Sequence, residues 1–198
     1  MKTFDETVFQ FLNGLSNKVL WIDHVMMFFA EHAVPMYACL FLIAWFTLPR
    51  REENIRHLLV LGVLAGVLAV FLNSVIALFW FRSRPFVTLP SGEVTQLIPH
   101  APNTSFPSDH SAASVAIATG VWGKNWIAYS FTIVAIIEVV ARVYVGVHWP
   151  TDVITGIIIG VLSGCVIKLF SRFIYPITTL GLWICRFGRF SKPTNLEK

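Results

Sequence analysis

Charged residues are scarce in this chain. Asp, Glu, Lys and Arg make up 13% of its 198 residues, whereas 56% are hydrophobic. A soluble domain carries about 25% charged residues, so this balance excludes an ordinary soluble protein and predicts an integral membrane protein. The net charge of +4 is too small to indicate nucleic acid as a partner, and the bilayer is the partner that the composition predicts.

Cysteine is also rare. The three cysteines follow no spacing typical of disulfides or of metal sites. The chain has no H-E-x-x-H segment and no acidic cluster, which argues against a dedicated metal site. The first residues lack the pattern of a basic region, an apolar run and a small-residue cleavage site, so no signal peptide is expected. We therefore predict no metal and no cofactor.

Long apolar segments define the fold class. Those near the roughly 20 residues needed to cross a bilayer predict spans at about 30–48, 57–81, 109–123, 126–145 and 152–171. The third of these is short. The prediction is an all-α polytopic membrane bundle of about five to six transmembrane helices, with an interfacial helix at the N-terminus.

The two ends of the chain are expected to flank one membrane domain that covers residues 1–198. Residues 1–30 mix apolar and polar side chains at helical spacing and predict one or two interfacial helices. A span over 9–30 is the alternative, and polar residues such as Asp23 and His24 weaken it. Residues 30–171 form the transmembrane core, and 172–198 form a basic cytoplasmic tail with a surface-lying helix.

The basic loops predict the topology. Arg50, Arg51 and Arg56 lie between the first two spans, Lys124 lies between the third and fourth, and the basic tail follows the fifth. All three fall on one side, which is cytoplasmic by the positive-inside rule. The loop 82–107 and the turn 146–151 then share the extracytoplasmic face.

Three polar clusters fall on that outer face. They are Arg82-Ser83-Arg84-Pro85, Pro107-Ser108-Asp109-His110, and the segment from Arg142 through His148 to Asp152. Ionisable groups beside lipid are costly and indicate a functional site by default. Their convergence predicts a single site.

The residue types in these clusters suit phosphoryl transfer. His148 and Asp152 are four apart, on one face of a helix start, so the aspartate can fix the tautomer of an imidazole nucleophile or base. Arg142 and Arg84 offer fixed positive charge for phosphate oxygens, and His110 can protonate a leaving oxygen.

The start of the third span adds further phosphate-binding candidates. Ser108 is a plausible N-cap, and a helix N-terminus favours a bound anion. Asp109 suits the helix dipole and is as well explained as a cap as by catalysis. Arg82 is a further phosphate-binding candidate, and its direction is open. A phosphoryl transition state needs mainly positioning and positive donors, which these residues would supply without a metal.

The clusters together resemble the type 2 phosphatidic acid phosphatase superfamily of membrane lipid phosphatases. Arg84-Pro85 matches the end of that family's first motif. Pro107, Ser108 and His110 match the second, and Arg142, His148 and Asp152 match the third. The resemblance implies that His148 is the nucleophile forming a phosphohistidine, that Asp152 orients it, and that His110 is the acid. It also implies that Arg84, Arg142 and Ser108 bind phosphate.

Three positions depart from the family pattern. Ala77 stands in place of the lysine of the first motif, Asp109 in place of the glycine of the second, and Ala141 in place of the serine of the third. The first two changes resemble the bacterial branch that dephosphorylates undecaprenyl diphosphate and confers bacitracin resistance.

The resemblance implies an undecaprenyl-diphosphate phosphatase whose partner is a polyprenyl diphosphate lipid. It would recycle the lipid carrier of cell-wall synthesis by releasing inorganic phosphate. Three alternatives stay open: a phosphatidylglycerol phosphate or phosphatidate phosphatase, a non-catalytic lipid-phosphate carrier, and a scaffold with a decayed site.

Overall fold

The computed structural model describes residues 3–123 and 125–188, and Lys124 and the end of the basic tail lie outside these ranges. The described residues form helices joined by turns and loops, and they contain no strand. The helices are α1 (Phe4–Asn13), α2 (Leu20–Thr47), α3 (Glu53–Phe79), α4 (Pro85–Thr88), α5 (Asp109–Val121), α6 (Trp126–Tyr144), α7 (Pro150–Leu169) and α8 (Ser171–Cys185).

Four of these helices, α2, α3, α6 and α7, are long and apolar enough to cross a membrane. The prediction of an all-helical polytopic membrane bundle is therefore confirmed. The predicted spans correspond to helices whose ends differ from the prediction by a few residues, except at the start of the first span.

The short third span is α5, which has 13 residues. At about 1.5 Å per residue it extends for about 20 Å, less than the roughly 30 Å of a hydrocarbon core. It packs against α3, α6 and α7, and its small side chains Ala112 and Ala116 are fully buried. Because protein rather than lipid surrounds α5, it does not need the length of a lipid-facing span.

Glycines allow this close packing around α5. A Cβ on Gly120 would lie 2.6 Å from the Cα of Gly62 on α3, and a Cβ on Gly156 of α7 would lie 2.8 Å from the carbonyl oxygen of Ser108. Small residues at helix interfaces let membrane helices approach this closely. The contact at Gly156 brings the N-termini of α5 and α7 together, and both helix starts carry predicted site residues.

The first membrane helix begins earlier than predicted, at Leu20 rather than near residue 30. Its polar residue Asp23 is accommodated because its Oδ1 accepts a hydrogen bond of 2.7 Å from the Tyr144 hydroxyl. The helix bends at His32, whose φ of −110° and ψ of 20° are not helical. Pro35 explains the bend, since it cannot donate to the carbonyl four residues before it. The segment before the bend packs over the turn that follows α6.

The N-terminal helix α1 lies across the same turn. The hydroxyl of Thr3 accepts from the backbone N–H of Glu6, and the Glu6 carboxylate accepts from that of Thr3, which forms a capping box. Phe9 is fully buried and its ring lies 5.3 Å from that of Trp149. The Asn13 side chain donates to the carbonyl of Tyr144 at 2.8 Å. This helix therefore braces the turn that carries His148.

The opposite end of the bundle holds the basic residues between α2 and α3, from which, with other basic residues, the orientation was predicted. Arg56 is buried there and donates to the carbonyls of Trp45, Leu48 and Pro49 at the end of α2. The helix α8 packs on this end, where the Thr178 hydroxyl lies 2.7 Å from Nδ1 of His57. Arg56 and His57 are thus structural contacts far along the helix axis from the polar clusters.

Candidate active site

A polar cavity of about 300 Å³ lies at the end of the bundle opposite Arg56. It brings together residues of all three sequence clusters, so the predicted convergence is found in the structure. The loop before α5, the start of α5, the end of α6 and the turn before α7 supply its chemistry. The lining residues are Ser74, Ala77, Arg84, His100, Asn103, Thr104, Pro107, Asp109, His110, Arg142 and His148.

His148 lies in the turn between α6 and α7 and is 3% exposed. Its Nδ1 lies 3.7 Å from Oδ2 of Asp152, which is close for a charge pair and too long for a direct hydrogen bond. Its Nε2 lies 3.2 Å from Nη1 of Arg84. The imidazole is therefore oriented with Nδ1 towards Asp152 and Nε2 towards the cavity.

Burial sets the charge of this imidazole. Loss of water, reinforced by the positive charges of Arg142 and Arg84, lowers the pKa of His148 to about 3 although Asp152 acts in the opposite direction. The ring is therefore neutral at ordinary pH. In a neutral ring with Nδ1 protonated, Nε2 keeps the lone pair that a nucleophile requires, and in this structure that lone pair accepts from Nη1 of Arg84.

Asp152 is completely buried at the start of α7. Its Oδ2 accepts a 2.9 Å hydrogen bond from the backbone N–H of Trp149 and a short one from the Ser105 hydroxyl. Its Oδ1 accepts from Nη1 of Arg82 at 2.8 Å. Because both oxygens are held, the carboxylate keeps a fixed position behind His148.

Arg84 is held by the loops around it. Its Nη1 donates to the carbonyl of Val147 at 2.7 Å, its Nε donates to Oδ1 of Asn103 at 3.0 Å, and its Nη2 donates to the carbonyl of Thr104 at 3.1 Å. Burial lowers the pKa of Arg84 to about 10, with Asp152 and Asp109 opposing the shift. Arg84 thus stays charged at neutral pH.

Arg142 reaches the cavity from the last turn of α6 and is 1% exposed. Its Nη1 donates to the carbonyl of Ala30 at 2.8 Å, close to the bend of α2. Its Nε and Nη2 are buried, and neither has a hydrogen-bond partner within the described part of the chain. Buried donors of this kind are costly unless something accepts from them, and a phosphate oxygen is a suitable acceptor.

The start of α5 forms another wall of the cavity. The Ser108 hydroxyl accepts from the backbone N–H of Ser111, as the predicted N-cap would, and Ser108 itself is completely buried. Asp109 and His110 both line the cavity. Asp109 accepts a 3.1 Å hydrogen bond from the amide of Asn73 on α3, which fixes its carboxylate beside the helix start.

Two of the predicted phosphate-binding residues, the buried Ser108 and Arg82, are not among the residues that line this cavity. The side chain of Arg82 lies elsewhere. Its guanidinium faces Asp152 from the side away from His148, and Nη2 pairs with Oδ2 of Asp5 at 2.5 Å. It lines a separate cleft with Asp5 and Trp149. The two carboxylates occupy this arginine, so it is not positioned to meet a phosphate in the cavity.

Sequence reasoning missed several residues of the site. Ser105 bonds Asp152 from the long loop, and no motif marks it. The ring centroid of His100, in the same long loop, lies 6.4 Å from that of His148. Burial, followed by the charges of Arg84 and Arg142, lowers the pKa of His100, opposed by its hydrogen bond to Ala101. Glu138 is completely buried one turn before Arg142, and its i, i+4 spacing was the available signal.

Within residues 3–123 and 125–188, no group of three or more His, Cys, Asp or Glu side chains is close enough to hold an ion. The positive groups of the cavity are instead Arg84 and Arg142, on two of its walls. Such a cavity suits an anionic head group in a membrane protein.

A buried histidine backed by a carboxylate, with two arginines at the edge of a membrane bundle, is the kind of site that a membrane phosphatase uses. Residues 56–175 match the family model of the PAP2 superfamily, and the chain belongs to that superfamily. The resemblance inferred from the three motifs is therefore confirmed.

Individual relatives agree with this assignment. Undecaprenyl-diphosphatase BcrC of Bacillus subtilis (strain 168) is 32% identical over 174 residues, which cover 87% of each chain. The bacitracin transport permease protein BcrC of Bacillus licheniformis is 31% identical over 161 residues, covering 78% of this chain and 74% of that protein. The crystal structure of Aquifex aeolicus LpxE superposes with a TM-score of 0.68 at 25% identity, covering 84% of this chain and 96% of that one. The chain is a multi-pass membrane enzyme of the lipid phosphatase class.

Proposed function

We propose that this enzyme hydrolyses undecaprenyl diphosphate to undecaprenyl phosphate and inorganic phosphate through a phosphohistidine at His148. The observation that carries the proposal is the cavity itself. It places Nε2 of His148 beside Arg84, with Asp152 behind the ring and the unpartnered donors of Arg142 on another wall. The name of the Bacillus subtilis relative supports the choice of substrate.

In the first step the Nε2 lone pair of His148 forms a bond to the terminal phosphorus. The bond from that phosphorus to the bridging oxygen breaks, and its electron pair goes to undecaprenyl phosphate. His110, which takes up a proton when the negatively charged diphosphate binds beside it, gives that proton to this oxygen. Asp152 stabilises the positive charge that develops on the ring of His148, and Arg84 and Arg142 bind the equatorial oxygens.

In the second step water attacks the phosphohistidine. The neutral His110 takes a proton from the water as the new phosphorus–oxygen bond forms. The nitrogen–phosphorus bond breaks, its electron pair returns to Nε2, and inorganic phosphate leaves. This returns His110 to its protonated form and His148 to its neutral form.

A series of apolar cavities supports the proposal that the substrate carries a long isoprenoid tail. The polar cavity shares Asp109 and His110 with an apolar cavity of about 210 Å³ between α2, α3 and α5. That cavity in turn shares Tyr37 and Ile117 with another of about 380 Å³ further along the bundle. A tail that follows this series would leave the head group beside His148.

We further propose that the cavity faces away from the cytoplasm. The described basic residues near the opposite end, among them Arg50, Arg51 and Arg56, agree with a cytoplasmic location for that end. A membrane-impermeant maleimide tests this in intact cells of a cysteine-free variant. Ser91→Cys should be labelled from outside, and Arg51→Cys should be labelled only after lysis. The reverse pattern would overturn the orientation.

The decisive test is phosphate release by the detergent-purified protein, with and without a chelator. Wild type should release phosphate from undecaprenyl diphosphate in both conditions, and His148→Gln should release none. His24→Gln, at an exposed position of α2, is the matched control and should be fully active. Full activity of His148→Gln would show that His148 is not the nucleophile.

Lipid competition separates the related substrates. Phosphatidylglycerol phosphate and phosphatidate should compete poorly with undecaprenyl diphosphate, and a preference for either would reassign the substrate. The name of the Bacillus licheniformis relative favours one alternative of another class, a carrier. A carrier would keep lipid binding and transport in His148→Gln and would release no phosphate in wild type.

A further inference from the structure

The carboxylate of Asp152 has a charged partner outside the catalytic cavity. Nη1 of Arg82 donates to its Oδ1 at 2.8 Å, while the Ser105 hydroxyl and the N–H of Trp149 hold its other oxygen. Arg82 is thus its ion-pair partner on the side away from His148. The orientation of Asp152 therefore depends on where the guanidinium of Arg82 is held.

Asp5 of the N-terminal helix holds that guanidinium. Its Oδ2 accepts from Nη2 of Arg82 at 2.5 Å and from the hydroxyl of Thr151 at 2.7 Å. Its Oδ1 accepts from the backbone N–H of Thr151 at 2.9 Å. Nη1 of Arg82 donates in turn to the Thr151 hydroxyl at 2.6 Å. One carboxylate of α1 therefore fixes both Arg82 and the residue that precedes Asp152.

Asp5 does not reach the catalytic cavity. It lines a separate cleft of about 490 Å³, together with Arg82 and Trp149. The cleft and the catalytic cavity have no lining residue in common. Asp5 can therefore influence the reaction only through the residues that it holds.

The rest of α1 keeps Asp5 in place. Phe9 packs on the ring of Trp149, one residue from His148. At the other end of the helix, the Asn13 amide donates to the carbonyls of Thr95 and Tyr144, both at 2.8 Å. These buried contacts fix the helix against the turn, so the carboxylate meets Arg82 at a defined position.

We propose that Asp5 is a positioning residue of the reaction, acting through Arg82 on Asp152 and thereby on His148. The inference rests on the proposed function, in which Asp152 orients the nucleophile. Without Asp5, the guanidinium of Arg82 is free to turn towards Asp152 alone and to draw its carboxylate away from Nδ1. That change weakens the support of His148 and leaves the phosphate-binding arginines unaltered.

The test compares Asp5→Asn, Asp5→Glu and the control Glu6→Gln in steady-state phosphate release from undecaprenyl diphosphate. Glu6 follows Asp5 in the same turn of α1. Its carboxylate accepts a 2.9 Å hydrogen bond from the backbone N–H of Thr3, the N-cap of the helix. We expect Asp5→Asn to lower kcat by about 10-fold to 100-fold, as is typical when a group supporting an active-site residue is lost. KM should stay within about twofold, because phosphate contacts are retained. Asp5→Glu should recover part of the rate, and Glu6→Gln should match wild type.

Thermal unfolding of each variant and the double variant Asp5→Asn/Arg82→Gln complete the test. If Asp5 acts through Arg82, the double variant is no slower than Arg82→Gln alone. The proposal is overturned if Asp5→Asn keeps wild-type kcat, or if Glu6→Gln loses as much activity as Asp5→Asn. It is also overturned if the fold-loss of kcat in the double variant equals the product of the fold-losses in Asp5→Asn and Arg82→Gln. Absence of phosphate release by wild type would instead refute the proposed function, so the two failures are distinct.

Discussion

Two buried arginines of this protein differ in how their donors are used. Arg56 and Arg142 are 0% and 1% exposed. The guanidinium of Arg56 donates through Nε and both terminal nitrogens to backbone carbonyls. Arg142 uses Nη1 alone, and its Nε and Nη2 find no acceptor among the described residues. The difference predicts a structural role for Arg56 and a substrate-binding role for Arg142.

The expected loss of activity in Arg142→Met follows from its two unused nitrogens. A hydrogen bond to a charged partner contributes about 1.5–3 kcal/mol, so two of them to a phosphoryl group contribute about 3–6 kcal/mol. Since about 1.36 kcal/mol corresponds to tenfold in rate, kcat/KM should fall by about 10²-fold to 10⁴-fold. Arg142→Lys keeps the charge but not the planar geometry, and its loss should be smaller.

The thermal stability of the protein should depend much less on Arg142 than on Arg56. Replacing Arg142 by methionine removes a buried charge, which offsets the orphaned carbonyl of Ala30, so Tm should change by only a few degrees. Arg56→Met leaves at least three carbonyls without their donor and should lower Tm clearly, while the folded fraction keeps its kcat/KM.

Measurements of phosphate release and thermal unfolding on both methionine variants, in the same detergent, test whether Arg142 binds substrate and Arg56 is structural. An Arg142→Met enzyme whose kcat/KM stays within tenfold of wild type would refute the reasoning. So would an Arg56→Met enzyme that is fully stable but inactive.

Three further predictions concern the support of the site and of the bundle. Ser105→Ala removes a hydrogen bond to the buried carboxylate of Asp152, so kcat should fall by about tenfold, and unchanged turnover would show that Ser105 does not hold the carboxylate. Because the pKa of His148 is lowered in the folded protein, the unfolded chain binds one more proton than the folded one between about pH 6.5 and 3, and Tm should fall as pH decreases through this window. His148→Gln should show a shallower decline of Tm. An equal slope in both proteins would contradict the lowered pKa of His148. Gly120→Val forces a side chain against Gly62 of α3, so Tm should fall sharply, and a stable variant would show that α5 can move.

The fold was largely predictable because the bilayer restricts it. Apolar segments of sufficient length must be helical in lipid, and α3, α6 and α7 lie within a few residues of their predicted positions. The start of α2 was not predictable in the same way. Asp23 argued against a helix in the membrane, and its partner, the hydroxyl of Tyr144, lies 121 positions away and leaves no local signal.

The candidate site was predictable where its residues are close in sequence. His148 and Asp152 share a helix start, and Ser108 is an N-cap whose chemistry is local. Arg82 illustrates the limit. Its sequence position beside Arg84 suggested a phosphate ligand, but Asp5, 77 positions earlier, engages it in the structure. The direction of a long side chain depends on tertiary partners, which spacing alone does not reveal.

The departures from the family motifs gain a physical meaning from the cavity. Ala77, which stands where the first motif has lysine, lines the cavity beside Asp109. Alanine leaves space and removes one positive charge, and Asp109 adds a negative charge whose position Asn73 fixes. Both changes lower the positive potential at this wall, while Arg84 keeps a positive charge beside His148. The terminal phosphate of a diphosphate would therefore be drawn towards His148, and the space beside Ala77 would be left for the second phosphate and the start of the tail.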